Sequence, residues 1–127
     1  MSRRKIIIPS ESPGGLSAAP CEHFGQCPVF TMVTVEENGI SAVEVIPNDH
    51  VGCRNCFDPI KSLWERGMSV LLVYKLGLFP LRVLDSLGIP VHHLSDSKTV
   101  EEAVKGYLQN QLRDFSAHDT CSGECEH

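Results

Sequence analysis

Two rhythms of apolar positions run along the chain, one with the period of strands and one with that of helices. Lys5 to Pro9 is a continuous, largely β-branched run, which predicts a central strand covered on both faces. Ser10-Glu11-Ser12-Pro13-Gly14-Gly15 then breaks into a loop that continues to Cys21. Val29 to Val35 and Ile40 to Ile46 flank Glu36-Glu37-Asn38-Gly39, and an Asn-Gly step between strand-like runs is the strongest short signal for an antiparallel hairpin. Beyond the hairpin the rhythm changes. Asp58 and Pro59 read as the N-cap and first position of a helix that ends at Gly67. Ser69 to Tyr74 reads as a second buried strand, Pro80 to Leu87 as a short helix closed by Gly88, and Pro90 to His93 as another strand. From Thr99 to Leu112 the apolar positions Val100, Ala103, Val104, Tyr107, Leu108 and Leu112 keep helical spacing, and Thr99 with Glu102 forms a capping-box pattern. Trp64 and Tyr107, large aromatics at helical positions, are expected in the core.

This order predicts an α/β domain built on a mixed sheet, with an antiparallel hairpin at one edge and parallel strands joined by helical crossovers at the other. The first strand lies in the middle. Ligands of such a sheet bind where loops leave the carboxyl ends of the parallel strands, here after Ser10 and after Tyr74. Residues 1–113 form the expected domain. Residues 114–127 turn small, polar and acidic and are expected to be a mobile tail.

Composition narrows the function classes. Hydrophobic residues make up 42% and charged residues 21% of a 127-residue chain with net charge -5, so no nucleic-acid or anionic-membrane partner is expected. The basic start Arg3-Arg4-Lys5 leads into an apolar run that stops at Pro9, too short for a signal segment or a membrane span, which places the protein in the cytoplasm.

Cysteine and histidine carry the candidate chemistry. The six cysteines fall in three local pairs, Cys21 with Cys27, Cys53 with Cys56, and Cys121 with Cys125, and His23, His50, His118 and His127 each lie within three residues of one of them. In a reducing compartment this arrangement argues for metal rather than a disulfide framework. Cys21-Glu22-His23-Phe24-Gly25-Gln26-Cys27 is the focal stretch: thiol and imidazole suit iron, zinc or copper, with Phe24 as an apolar anchor. Two buried, inert cysteines beside a hydrogen-bonded histidine are the bland alternative. Cys53 and Cys56 sit just before the first helix, where unpaired amides and the helix dipole favour thiolate; a ligand pair, a redox dithiol and a pair without a role all fit. Cys121, Cys125 and His127 have a spacing that suits zinc or a lid over a site, and equally an unstructured terminus. At the end of the last strand His92 and His93 point to opposite faces, so one at most serves a given site. Asp49 and His50 fit either an orienting role or a solvated turn.

The sequence Lys5-Ile6-Ile7-Ile8-Pro9-Ser10, then Glu22-His23-Phe24-Gly25, Asn38-Gly39, Gly52-Cys53, Leu76-Gly77, Leu87-Gly88-Ile89 and Thr99-Val100-Glu101-Glu102-Ala103-Val104 with Tyr107-Leu108 resembles the dinitrogenase iron-molybdenum cofactor biosynthesis family over Lys5 to Leu112. The resemblance implies a ribonuclease-H-like fold without nuclease chemistry. It also implies a non-enzymatic carrier or scaffold of an iron-sulfur or molybdenum-containing cluster, passed between donor and acceptor proteins by a monomer or weak homodimer. His23 and Cys53 are the ligands it implies; Cys56, Cys21 and Cys27, which are not general features of the family, are expected to complete or exchange them, with Cys121, Cys125 and His127 as further candidates. Tyr74 and Lys75 stand where the family often has glycines, and Gln26 where an arginine is common. Lys75 then offsets the charge of an anionic cluster. A structural zinc domain for protein interaction and a Cys53/Cys56 dithiol redox protein are the two rival readings.

Overall fold

A computed structural model describes residues 3–37, 39–48 and 57–116. Its elements run β1 (Arg4–Ser10), β2 (Val29–Glu36), β3 (Gly39–Pro47), α1 (Phe57–Glu65), β4 (Val70–Val73), α2 (Leu78–Ser86), β5 (Val91–His93) and α3 (Val100–Leu108). The sheet order is β3-β2-β1-β4-β5. β1 pairs antiparallel with β2 and parallel with β4, and β4 pairs parallel with β5. The strand expected to be central is central. Its unbroken apolar run reflects two covered faces: Ile7 joins the cluster under α1 and α2 with Phe30, Met32, Ile60, Leu63, Leu71, Leu81 and Leu84, while Ile6 and Ile8 join Val33, Val70, Leu72, Val100, Ala103 and Val104 under α3.

The hairpin closes between Glu36 and Gly39, and the register slips once, between Thr34 and Val35, leaving Ser41 unopposed on β3. That extra residue restores the alternation, so Ile40 shares a face with Val43 and Val45. β3 is an edge strand, and these three side chains are exposed.

Three expectations about the helices change. α1 is already helical at Phe57, so Asp58 lies inside the helix rather than capping it. Trp64 is 50% exposed, because Ile60 and Leu63 take the sheet-facing stripe and Trp64 falls about 100° round from Leu63. α3 stops at Leu108, four residues early, because Asn110 adopts a left-handed φ of 59° and the amides of Asn110 and Gln111 bond back to the carbonyls of Tyr107 and Gly106. Leu112 still packs beside α3, but through this reversal rather than as a helical residue.

After the reversal the chain returns to the free edge of β5: the amide of His93 donates to Arg113 and that of Phe115 to Val91, both at 2.9 Å. Phe115 is 7% exposed and packs in the cluster under α1 and α2. Residues 114–116, expected in the tail, are therefore part of the packed structure. Asp49, His50, Cys53 and Cys56, the helix-start position read for that pair, and His118, Cys121, Cys125 and His127 lie outside the described residues.

Candidate functional site

The carboxyl ends of the three parallel strands open onto one cleft of ≈ 420 Å³, lined by Glu11, Pro20, Glu22, Tyr74, Lys75 and His93. Glu11 follows β1, Tyr74 and Lys75 follow β4, and His93 ends β5, so the cleft lies where the sheet topology predicts a ligand. The loop after β1 forms its roof. It leaves through Gly14 and Gly15 and returns along the strand it left, pairing Pro20 with Ser10 and donating the Cys21 amide to the Pro9 carbonyl at 2.7 Å. His23 then pairs in parallel with Lys75, which extends β4 and draws the two motifs together.

Beyond His23 the chain turns through a short 3-10 segment, Phe24–Gln26, and the sequence expectation for Phe24 holds: its ring is buried against Phe30 at 5.2 Å. The two cysteines flanking this turn point into the same apolar cluster. Cys27 donates to the Phe24 carbonyl at 3.3 Å, and the Asn48 amide holds the Cys27 carbonyl at 2.8 Å. Burial, and then the nearness of Cys21, push the Cys27 thiol up to about 12. Burial also raises Cys21, partly opposed by the backbone amide of His23, with the Glu11 carboxylate adding to the rise. Both are free, neutral thiols beneath the loop rather than thiolates facing the cleft.

His23 is itself part-exposed, 32% by side chain, and stands beside the cleft rather than among its lining residues. It reaches the cleft through Glu22. One carboxylate oxygen of Glu22 lies 3.7 Å from His23 Nε2 and the other 3.3 Å from Lys75 Nζ. Among the described residues no three His, Cys, Asp or Glu side chains converge to hold a metal ion.

His93 was legible only as one of a pair, and the alternation expected for the pair holds: His92 packs its ring on Tyr107 of α3, while His93 lines the cleft. The His93 ring stacks on Phe115 and meets Tyr74 edge-on at 5.9 Å. Its Nδ1 accepts the Ser95 amide at 2.9 Å, which leaves Nε2 to carry the proton of the neutral ring. Tyr74 donates its hydroxyl to the Ser97 carbonyl, and burial, then the charges of Asp96 and Glu102, push its titration up. The loops after Ser10 and Tyr74 and the Glu22-His23 motif were signalled in the sequence, but the participation of Glu11 and of His93 in the same cleft was not, because only the sheet brings them together.

An open mixed sheet with a cleft of charged and aromatic side chains at the ends of its parallel strands defines a small α/β domain. A family profile for dinitrogenase iron-molybdenum cofactor proteins matches residues 4–110, and the chain belongs to that family. It is 26% identical over 98 residues to an uncharacterized protein of Methanocaldococcus jannaschii, covering 73% of this chain and 80% of that one. The apo form of the orange protein from Desulfovibrio gigas superposes with TM-score 0.76 at 24% identity, over 89% of this chain and 93% of that one. A Methanocaldococcus jannaschii structure described as a candidate dinitrogenase superposes with TM-score 0.72 at 17% identity, over 91% and 98%. At these identities the structural matches speak for the fold alone. No described helix is long and apolar enough to cross a membrane.

Proposed function

We propose that the protein binds an iron-sulfur or molybdenum-containing cluster as cargo at this cleft and carries or scaffolds it between donor and acceptor proteins in the cytoplasm, without catalysing a reaction. The observation that carries this reading is the pairing of His23 with Lys75, which brings an imidazole ligand and a lysine cation together at the ends of the parallel strands. Family membership supports the cargo class. His23 supplies one ligand, Lys75 compensates anionic charge, and Cys53 with Cys56 supply the thiolates. Cys121, Cys125 and His127 are the candidates to cover the cargo. Cys21 and Cys27, neutral in the core, hold the His23 loop instead. Few protein ligands suit hand-over, whereas a closed set of four suits retention.

The same reading takes the fold as ribonuclease-H-like, supported by an antiparallel β1–β2–β3 unit followed by parallel β4 and β5. A monomer or weak homodimer is enough for it. The zinc-domain and dithiol alternatives rest on Cys53, Cys56, Cys121, Cys125 and His127, and no described observation favours either.

The test is metal analysis with a visible spectrum on protein purified without air from a host that makes these clusters. Wild type is expected to hold iron or molybdenum with visible absorption, and His23→Ala and Cys53→Ser to lose most of it. A colourless wild-type protein, before and after incubation with cluster donors, would overturn the reading.

A further inference from the structure

Glu22 stands between His23 and Lys75, the two groups assigned to the cargo. Its two carboxylate oxygens are divided between His23 Nε2 at 3.7 Å and Lys75 Nζ at 3.3 Å, so one side chain spans the candidate ligand and the candidate counter-charge. We propose that Glu22 is an internal competitor for the cleft: a metal-sulfide cluster of negative charge binds by displacing the Glu22 carboxylate from Lys75, and the returning carboxylate helps expel it. This inference rests on the cluster-binding reading and assigns the residue that sets how tightly cargo is held.

Three features support it. The ion pair is weak enough to open, since Lys75 and Glu22 are 48% and 63% exposed by side chain, a regime in which such pairs contribute little. Glu22 is next to His23 in sequence and fixed to the same bridged segment, so the competing anion is always present at high effective concentration, whatever the cargo concentration. Glu11, the other carboxylate lining the cleft, sits against Cys21 and adds repulsion toward an anionic cargo. A carrier needs cargo to leave when an acceptor arrives. An attached anion that re-forms its own contact as the cargo departs lowers the cost of release without any change of fold.

The experiment titrates tetrathiomolybdate, a small metal-sulfide dianion with visible absorption, into wild type, Glu22→Gln, Lys75→Met and the Glu22→Gln/Lys75→Met double variant. Thermal melts check that all four fold. Glutamine keeps the shape of Glu22 and removes its charge, so Glu22→Gln is expected to tighten binding about tenfold and to slow release of the dianion to a competing chelator. Lys75→Met is expected to weaken binding. In the Lys75→Met background the Glu22→Gln change should gain about twofold at most, because the contact it contests is gone. Wild-type binding with no gain in Glu22→Gln overturns the competitor role and leaves the cargo reading standing. An equal gain with and without Lys75 also overturns it, making Glu22 only a distant repulsive charge. No binding by any variant overturns both.

Discussion

A thiol buried beneath the Phe24 turn has no water to stabilise its negative form, and Cys27 accordingly titrates near 12 against an ordinary 9.0. Between those values the native protein keeps a proton that the unfolded chain has lost, so stability is full below about pH 9 and falls as pH rises toward 12. Urea unfolding at pH 8 and pH 10.5 is expected to show a loss of about 2 kcal/mol from this group, with Cys21 adding in the same direction. Cys27→Ala should lower stability at pH 8 and flatten the pH dependence. A drop of undiminished size in that variant would assign the alkaline loss to other groups. In the sequence the same residue reads equally well as ligand and as packing, because its spacing from His23 says nothing about which side of the loop it faces.

The loop between β1 and the His23 turn, pinned by backbone hydrogen bonds to β1 and α3, also makes one close approach to the hairpin. Gly14 has φ 80°, and a Cβ built there would come within 2.8 Å of Val45 and 3.1 Å of Val29, so this loop seats on the exposed apolar face of the hairpin. Gly14→Ala combines left-handed strain with a clash and is expected to cost about 2–3 kcal/mol. Because the loop presents Glu11 and Pro20 to the cleft, amide exchange over residues 11–20 should accelerate in the same variant; a melt within 1 °C of wild type would show the contact to be dispensable. At this scale much was readable. Strand runs, the helix ends at Gly67 and Gly88, and the Thr99 cap, whose Oγ1 accepts the Glu102 amide at 3.2 Å, all follow from short-range patterns. The end of α3 was not, because helical spacing from Val100 to Leu112 continues through a reversal made by Asn110.

For the molecule as a whole, the strap at Arg113–Phe115 ties the last part of the fold to the cleft. Phe115 fills the cluster under α1 and α2 and stacks on His93, so Phe115→Ala is expected to destabilise by about 3 kcal/mol and to shift the His93 ring resonances. Unchanged stability in urea would mean that the core closes without it. The cleft is likewise a property of the whole: Glu11, Glu22, Lys75 and His93 come from four separated positions and meet because β1, β4 and β5 are parallel and end on one side.

The sequence by itself determined the order of elements, the central place of β1, and the side of the sheet at which a cleft opens, since each follows from local periodicity and the handedness of crossovers. Tertiary structure alone decided that Cys21 and Cys27 pack inward, that Trp64 faces solvent, that Phe115 belongs to the core, and that Glu22 stands between His23 and Lys75. Spacing along a chain fixes which residues are neighbours on one element. Burial, charge and contact depend on what another element brings to the same place.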